Sequence, residues 1–471
     1  MNRREFLSAA CAAGIAVKVG SARGAEANQP NVVLIFSDEM GYADGTGNTE
    51  IPIPNLRRLA DGGVRFTNAY VTAPICVASR MGLMSGCHQQ RFGIYGNIHG
   101  ESVNQRALAH TVLPKVFQDA GYRTGLVGKW HLGGNNRTTF DYGHPLKRGF
   151  DEFVGISGGD SPFWKGTPVH RGTKPIKAPK YLTDFFGDEA CQFMDRNREK
   201  PFFLYLAFNA VHAPMHALEE DKVKLPGGKS KGPMRETYGG MMTAMDRNVG
   251  RVLDKIDSLG LKKDTIVIFL NDNGGGGSTA RYAAHSRNYA DNSPYKGHKF
   301  DVHEGGIKTP FTMRWPGRIK EGSRYNNLVS SMDIFPTLVA AAGLKLPKQA
   351  CDGKDVMPYL NRPSKDGPHP WLCWENRNWS SLGGSKSVRP HRRIHNCAVR
   401  KGNWKLVRYF DRIDSPDAAP SWRLYDLSKD VSEKNDVSKQ HPGTVKELAL
   451  IFSTWRTAMH PSVEPKARKR K

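Results

Sequence analysis

The sequence predicts an α/β protein, a mostly parallel β-sheet sandwiched by helices, followed by a smaller C-terminal domain built on an antiparallel sheet. Three observations lead there. Four short apolar runs of strand length recur before residue 362. Amphipathic segments with helical spacing separate them. After residue 362 the pattern turns to short strand-like stretches joined by a Gly-Asn turn.

The N-terminus comes first. MNRREFLSAACAAGIAVKVGSARGAEA has a basic start, an Ala-rich apolar stretch and an A-x-A site at Ala25-Glu26-Ala27. This is the layout of an export signal, and Arg3-Arg4 gives it a twin-arginine character. Residues 1–27 are therefore set apart, residues 28–362 form the expected catalytic domain, and residues 363–471 form the expected C-terminal subdomain with a basic tail. The mature chain is expected outside the cytoplasm, in the periplasm or beyond, with no stable membrane span.

The four apolar runs are Val32–Phe36, Thr124–Val127, Phe202–Phe208 and Ile266–Leu270. Continuous runs of this kind suit strands buried on both faces, as in a parallel sheet. Helical patterns lie at Asn55–Gly62, Val112–Ala120 and Met241–Leu259, each closed by a glycine or followed by one. In the C-terminal part, Trp371–Glu375, Ala398–Phe410 and Trp422–Leu427 read as strands. Gly402-Asn403 is a turn signal between two of them.

Function in such sheets gathers at the carboxyl ends of the strands. Here the four runs are followed by Ser37-Asp38-Glu39, Gly128-Lys129-Trp130-His131, Asn209 with His212, and Asn271-Asp272-Asn273. Asp38, Glu39, Asp272 and Asn273 supply hard oxygen donors, a set that suits Ca²⁺ or Mg²⁺ and has no soft ligand for zinc or copper. Lys129 and His131 stand two apart, and in extended chain would share a face with Trp130 turned away. Lys299 and Arg80 add cationic groups. A divalent ion, lysines, an arginine and histidines together call for an anionic, oxygen-rich substrate, and sulfate and phosphate esters both qualify.

The composition bounds the partners. Lys and Arg number 69 against 45 Asp and Glu, a formal net charge of +24. Such a surface attracts polyanions, but no nucleic-acid-binding signature interleaves basic residues with aromatics, so a sulfated or carboxylated polysaccharide is the expected partner. Seven cysteines are scattered along the chain without a C-x-x-C pair, which argues against both a disulfide scaffold and a thiolate zinc site.

Cys76-Val77-Ala78-Ser79-Arg80 resembles the C-x-P/A-x-R signature of the formylglycine-dependent sulfatases of the alkaline phosphatase superfamily. Asn31–Asp44, Gly128–Gly133, His212-Ala213-Pro214, Asn271–Gly274, Glu304-Gly305-Gly306 and Leu424–Leu427 follow in the order of that family. The resemblance implies an alkaline-phosphatase-like fold. It also implies that a maturation enzyme converts Cys76 to Cα-formylglycine, and that the hydrated aldehyde attacks sulfur and later expels sulfate. It assigns the metal to Asp38, Glu39, Asp272 and Asn273. Arg80 and Lys129 would fix the hydrate, Lys299 would contact the sulfate, His212 with Lys299 would protonate the leaving oxygen, and His131 would act as base in the second step. Alternatives on the same fold are a phosphodiesterase or phosphonate hydrolase and a catalytically silent glycan-binding protein. Oligomeric state, sugar and sulfate position stay open. Three departures stand out: Glu39 is usually aspartate, Lys308 is usually arginine, and Ser157–Asp160 matches no site pattern.

Overall fold

The computed structural model describes residues 29–97, 109–133, 143–223, 233–276, 289–360, 366–379, 393–409 and 421–459. The export signal and the basic tail expected from the sequence lie outside them.

The strands, in chain order, are β1 (Asn31–Ser37), β2 (Val64–Phe66), β3 (Ala69–Tyr70), β4 (Arg123–Lys129), β5 (Glu152–Ile156), β6 (Pro168–Arg171), β7 (Lys174–Lys177), β8 (Phe202–Ala207), β9 (Thr265–Asn271), β10 (Phe311–Arg314), β11 (Ser323–Tyr325) and β12 (Val329–Ser330), followed by β13 (Leu372–Trp379), β14 (Arg393–Lys401), β15 (Trp404–Tyr409) and β16 (Trp422–Asp426). Ten of them form one sheet in the order β11-β2-β10-β9-β1-β8-β4-β5-β6-β7. Its centre, from β9 through β1, β8 and β4 to β5, is parallel. The antiparallel additions β10 and β6–β7 flank that centre. All four apolar runs read from the sequence are central strands.

Their burial follows the pleat. Val32, Leu34 and Phe36 of β1 enter one apolar cluster, and Val33 and Ile35 enter another on the opposite face. Each such side chain, fully buried, contributes about 1.5–3 kcal/mol, which is why β1 carries no polar residue between Asn31 and Ser37. One face is covered by α3 (Cys76–Ser85), α4 (Leu113–Asp119) and α8 (Ile334–Ala341). The other is covered by α2 (Pro54–Asp61), α5 (Leu182–Asn197) and α6 (Pro233–Ser258). Short helices α1 (Tyr42–Thr46), α7 (Glu304–Ile307) and α9 (Met357–Leu360) complete this part, and α10 (Pro442–Thr457) follows it.

Helix α6 begins eight residues before the start read from periodicity. Gly239-Gly240 hides that turn from a propensity reading, while Arg235 sits buried in it and pairs with Asp44 at 2.7 Å.

Strands β13–β16 make the separate antiparallel sheet. Lys401 and Trp404 pair across Gly402-Asn403, with Gly402 at φ 55°. One face of this sheet, with Trp374, Ala398, Val407 and Tyr425, rests on Tyr70, Val71, Val302 and Ile307. The other takes α10 through Leu448, Phe452 and Trp455. The sheet thus backs directly onto the segment that carries Lys299.

Candidate active site

The site forms where β1, β4, β8 and β9 end. Parallel registry brings Ser37 beside Asn271, so the residues that follow, Asp38 and Asp272, emerge together. The Asp272 N–H donates to Ser37 O at 3.2 Å, and the Glu39 N–H donates to Asp272 Oδ1 at 3.1 Å. Asp38 is tied to the chain after β8, donating to Ala210 O at 2.9 Å and accepting from the Val211 N–H at 2.8 Å.

Cys76 is the first residue of α3, and its Sγ lies 3.7 Å from Asp38 Oδ1. Arg80, one turn later, falls on the same side of the helix. Its guanidinium donates to Asp272 Oδ2 at 3.1 Å and to Lys129 O at 3.2 Å, stands 3.7 Å from Asp38 Oδ2, and lies 5.0 Å over the Phe36 ring. Lys129, the last residue of β4, is fully buried and donates to Asp38 Oδ2. The strand can approach this closely because residue 128 is glycine. It has φ 112°, and a Cβ there would stand 1.9 Å from Ala207 O.

A second group closes over the first. Glu39, at φ 58°, accepts from Lys299 Nζ and faces His212 Nε2 at 2.8 Å. His212 Nε2 is 3.4 Å from Lys299 Nζ, while Nδ1 donates to Ala213 O at 2.5 Å. His216, the other histidine on that loop, accepts instead from the Phe163 N–H.

These charges set one another's protonation. Burial alone would raise the Asp38 carboxyl, but Lys129, His212 and Arg80 outweigh it and hold it well below the usual range. Asp272 goes the other way, raised to about 7 by burial and by the charge of Asp38. Burial brings Lys299 down to about 8. His131 is held neutral, first by burial and then by Lys129 and Arg80.

The donor set fits a hard divalent cation. Among the described residues, one group offers clustered ligand atoms: Asp38, Glu39, Cys76 and His212 place theirs within 4.8 Å of one another. Asp272 adjoins it through the Glu39 N–H. Asn273 Oδ1 is buried without a hydrogen-bond partner, an acceptor left for a ligand outside the protein. The carboxylates and the amide are the oxygens that Ca²⁺ or Mg²⁺ takes.

Residues 30–344 match the family model described as Sulfatase. The chain belongs to the sulfatase family. Its members are sulfuric ester hydrolases, and residues 297–450 also match the model for the C-terminal part of N-sulphoglucosamine sulphohydrolase. This sulfatase is 32% identical to arylsulfatase A of Bos taurus, over 96% of this chain and 92% of that protein. It is 28% identical to the N-acetylgalactosamine-6-O-sulfatase of Bacteroides thetaiotaomicron, over 93% and 96%. Among solved structures, Ps i-CgsB superposes with a TM-score of 0.78 at 30% identity, covering 92% of this chain and 94% of that one. A second structure of that protein, in complex with k-i-k-neocarrahexaose, superposes with a TM-score of 0.77 at 30% identity, covering 92% of this chain and 94% of that one. The fold is alkaline-phosphatase-like, as the motifs imply.

The sulfatase departs from one geometric expectation. Lys129 and His131 do not share the face of an extended strand, because His131 turns into the left-handed region at φ 59°. The turn follows from Trp130, whose buried indole donates to Gly143 O at 2.8 Å. His131 is instead met by the loop after β5: a Cβ on Gly159 would stand 2.4 Å from His131 Nε2. The glycine pair at 158–159, unassigned in the sequence, is the signal for this close approach. Asp160 beside it is exposed. Lys308 donates to Asn68 Oδ1 at 3.0 Å and lies 4.5 Å over the Tyr295 ring.

Two further residues carried no signal at all. Asn376 of β13 and Asn396 of β14 are cross-strand partners, and both side-chain amides donate to Phe300 O, at 2.9 and 3.0 Å. Phe300 follows Lys299, has φ 76°, and donates its N–H to Pro74 O at 2.8 Å. The Lys299 backbone is thus fixed from the C-terminal sheet on one side and from the loop before Cys76 on the other.

Proposed function

We propose that the protein hydrolyses sulfate esters on a sulfated carbohydrate, through a Cα-formylglycine formed from Cys76 and a divalent cation, most simply Ca²⁺. In this reading residues 1–27 direct export to the periplasm or beyond, residues 28–362 carry catalysis, and residues 363–471 form a subdomain that braces it.

The observation that carries the reading is the position of Cys76 at the start of α3, its Sγ 3.7 Å from Asp38 and one helical turn from the buried Arg80. As a thiol this residue has little use there. Burial first, and the charge of Asp272 next, raise its pKa well above the ordinary value, so the thiolate is suppressed. A hydrated aldehyde at this place would supply a hydroxyl nucleophile together with a second hydroxyl whose deprotonation lets sulfate leave. The cation, held by Asp38, Glu39, Asp272 and Asn273, would supply positive charge to a sulfate oxygen.

The chain's own groups do the rest. Arg80 and Lys129, locked to Asp272 and Asp38, orient the residue 76 side chain without conformational search. Lys299, with its lowered pKa, and His212 face one space from two segments 87 residues apart. Between them they bind a sulfate oxygen and deliver a proton to the departing sugar oxygen. His131, held neutral, accepts the proton from the second hydroxyl. The relatives named for galactosamine sulfates and a carrageenan oligosaccharide complex support the sugar assignment, as does the formal charge of +24.

Mass spectrometry of the peptide bearing residue 76, after co-expression with a formylglycine-generating enzyme, tests the chemistry. Loss of sulfur with gain of an aldehyde is expected. A preparation that hydrolyses aryl sulfates with residue 76 wholly in the thiol form would overturn the mechanism.

A further inference from the structure

We propose that Trp164, with Lys165 and Lys177, forms a binding subsite for a second anionic sugar unit beside the reaction centre, a proposal that rests on the carbohydrate reading above. Four large apolar side chains are exposed among the described residues, and Trp164 is the aromatic one, with 43% of its surface in solvent. A single exposed apolar residue is ordinary; this one is rigidly mounted and lies on a loop that begins at the site.

The loop leaves β5 at Ser157, whose carbonyl accepts from the His131 N–H at 3.2 Å, and passes Gly159 against the His131 ring. It then reaches the loop of His212. The Phe163 N–H donates to His216 Nδ1 at 3.4 Å, and the Trp164 ring stacks on His216 with centroids 5.0 Å apart and planes inclined by 27°. Tyr181 supports the same histidine, its hydroxyl donating to His216 O at 2.8 Å. His216 is four residues from His212, and so at most about 14 Å along the chain from the group that faces Lys299.

Two lysines belong to the same turn. Lys165 follows Trp164 in the chain, and the β6–β7 hairpin joins the turn at the residue after Lys177, through Gly166 N–H to Ala178 O and Ala178 N–H to Thr167 O, both 2.8 Å. Lys180 is neutralised by Asp188. Lys165 and Lys177 are exposed and have no acidic partner among the described residues. A pyranose offers an apolar C–H face to an aromatic plane, and a sulfate on its rim meets the two ammonium groups. A rigid indole loses little freedom on making such a contact, and its face attracts the positive edge of C–H bonds. The arrangement therefore suits an oligosaccharide substrate over a single sulfated sugar.

The test uses the full chain carrying Cys76→Ala, so that bound ligand is not turned over. Calorimetric titrations employ sulfated hexasaccharides from carrageenan, chondroitin sulfate and heparin, and the corresponding monosulfated monosaccharides. Adding Trp164→Ala should weaken the best hexasaccharide about tenfold and change the monosaccharide less than twofold. Trp164→Phe, which keeps an aromatic plane, should restore most of the loss. Lys165→Ala with Lys177→Ala should weaken the hexasaccharide and flatten its salt dependence. Equal effects of Trp164→Ala on both ligands, or none on either, would overturn the subsite while leaving the carbohydrate reading standing. If no hexasaccharide or monosaccharide binds, yet the Cys76 enzyme hydrolyses 4-nitrophenyl sulfate, the carbohydrate reading falls and the subsite with it.

Discussion

Cys76 Sγ stands 3.7 Å from Asp38 Oδ1, although one begins a helix and the other, 38 residues earlier, directly follows a strand. The contact joins the two halves of the proposed chemistry, a nucleophile and a cation cradle. It exists because β1 is pinned between β8 and β9 while α3 packs across the sheet. Four consequences can be measured.

Calcium should stabilise the folded protein. A ligand that binds only the native state contributes RT ln(1 + [L]/Kd), about 2.7 kcal/mol at a hundredfold excess over Kd. Thermal melts with increasing Ca²⁺ should therefore rise, and chelator should reverse the rise. Asp272→Asn, which removes one of two facing carboxylates, should abolish most of the increment. A Ca²⁺-dependent melt unchanged in that variant would remove Asp272 from the cation site.

His212 should matter according to the leaving group. His212→Ala should lower kcat about 10²–10⁴-fold on sulfated sugars, whose alkoxide needs a proton. On 4-nitrophenyl sulfate, whose phenolate departs unaided, the loss should be far smaller. Equal losses on both substrates would show that His212 is not the proton donor.

The asparagine pair should act as a unit. Removing either Asn376 or Asn396 leaves the other amide on Phe300 O, so each single alanine variant should cost little. The double variant removes both amide donors from that carbonyl, at about 1–3 kcal/mol, and loosens the Lys299 backbone on the side of the C-terminal sheet. It should lower kcat about tenfold with a non-additive fall in stability. A KM change alone, or simple additivity, would contradict the clamp.

His88 should contribute an acid limb to stability. Burial lowers its pKa to about 4, its ring meets Trp455 edge-on at 5.2 Å, and its Nδ1 has no partner. Above about pH 6.5 it is neutral folded and unfolded, and contributes no pH dependence. Between 6.5 and about 4 the unfolded chain binds a proton that the native state refuses, so stability falls as pH falls, by up to about 3 kcal/mol. Denaturant titrations of His88→Gln across that window should show a shallower decline than wild type. Parallel curves would place the acid sensitivity elsewhere.

Much of this arrangement was legible without coordinates, and the reason is local. Val32–Phe36, Phe202–Phe208 and Ile266–Leu270 are strands buried on both faces, so each announces itself as an unbroken apolar run. Gly402-Asn403 marked its hairpin because the turn needs a residue that tolerates φ above zero. The left-handed turn at His131 was not legible, since it follows from Trp130 finding Gly143 O. The early start of α6 was masked by Gly239-Gly240, where packing overrode propensity.

The sequence by itself determined the sulfatase family, the central strands and the types of group at their ends, because apolar periodicity and contiguous motifs are properties of neighbouring residues. Only the tertiary structure decided which of those groups meet. The Arg80 guanidinium between Asp38 and Asp272, the Asn376–Asn396 clamp on Phe300 and the Trp164 stack on His216 each depend on registry between segments far apart in the chain. Registry is set by the packing of whole layers, and no local pattern encodes it.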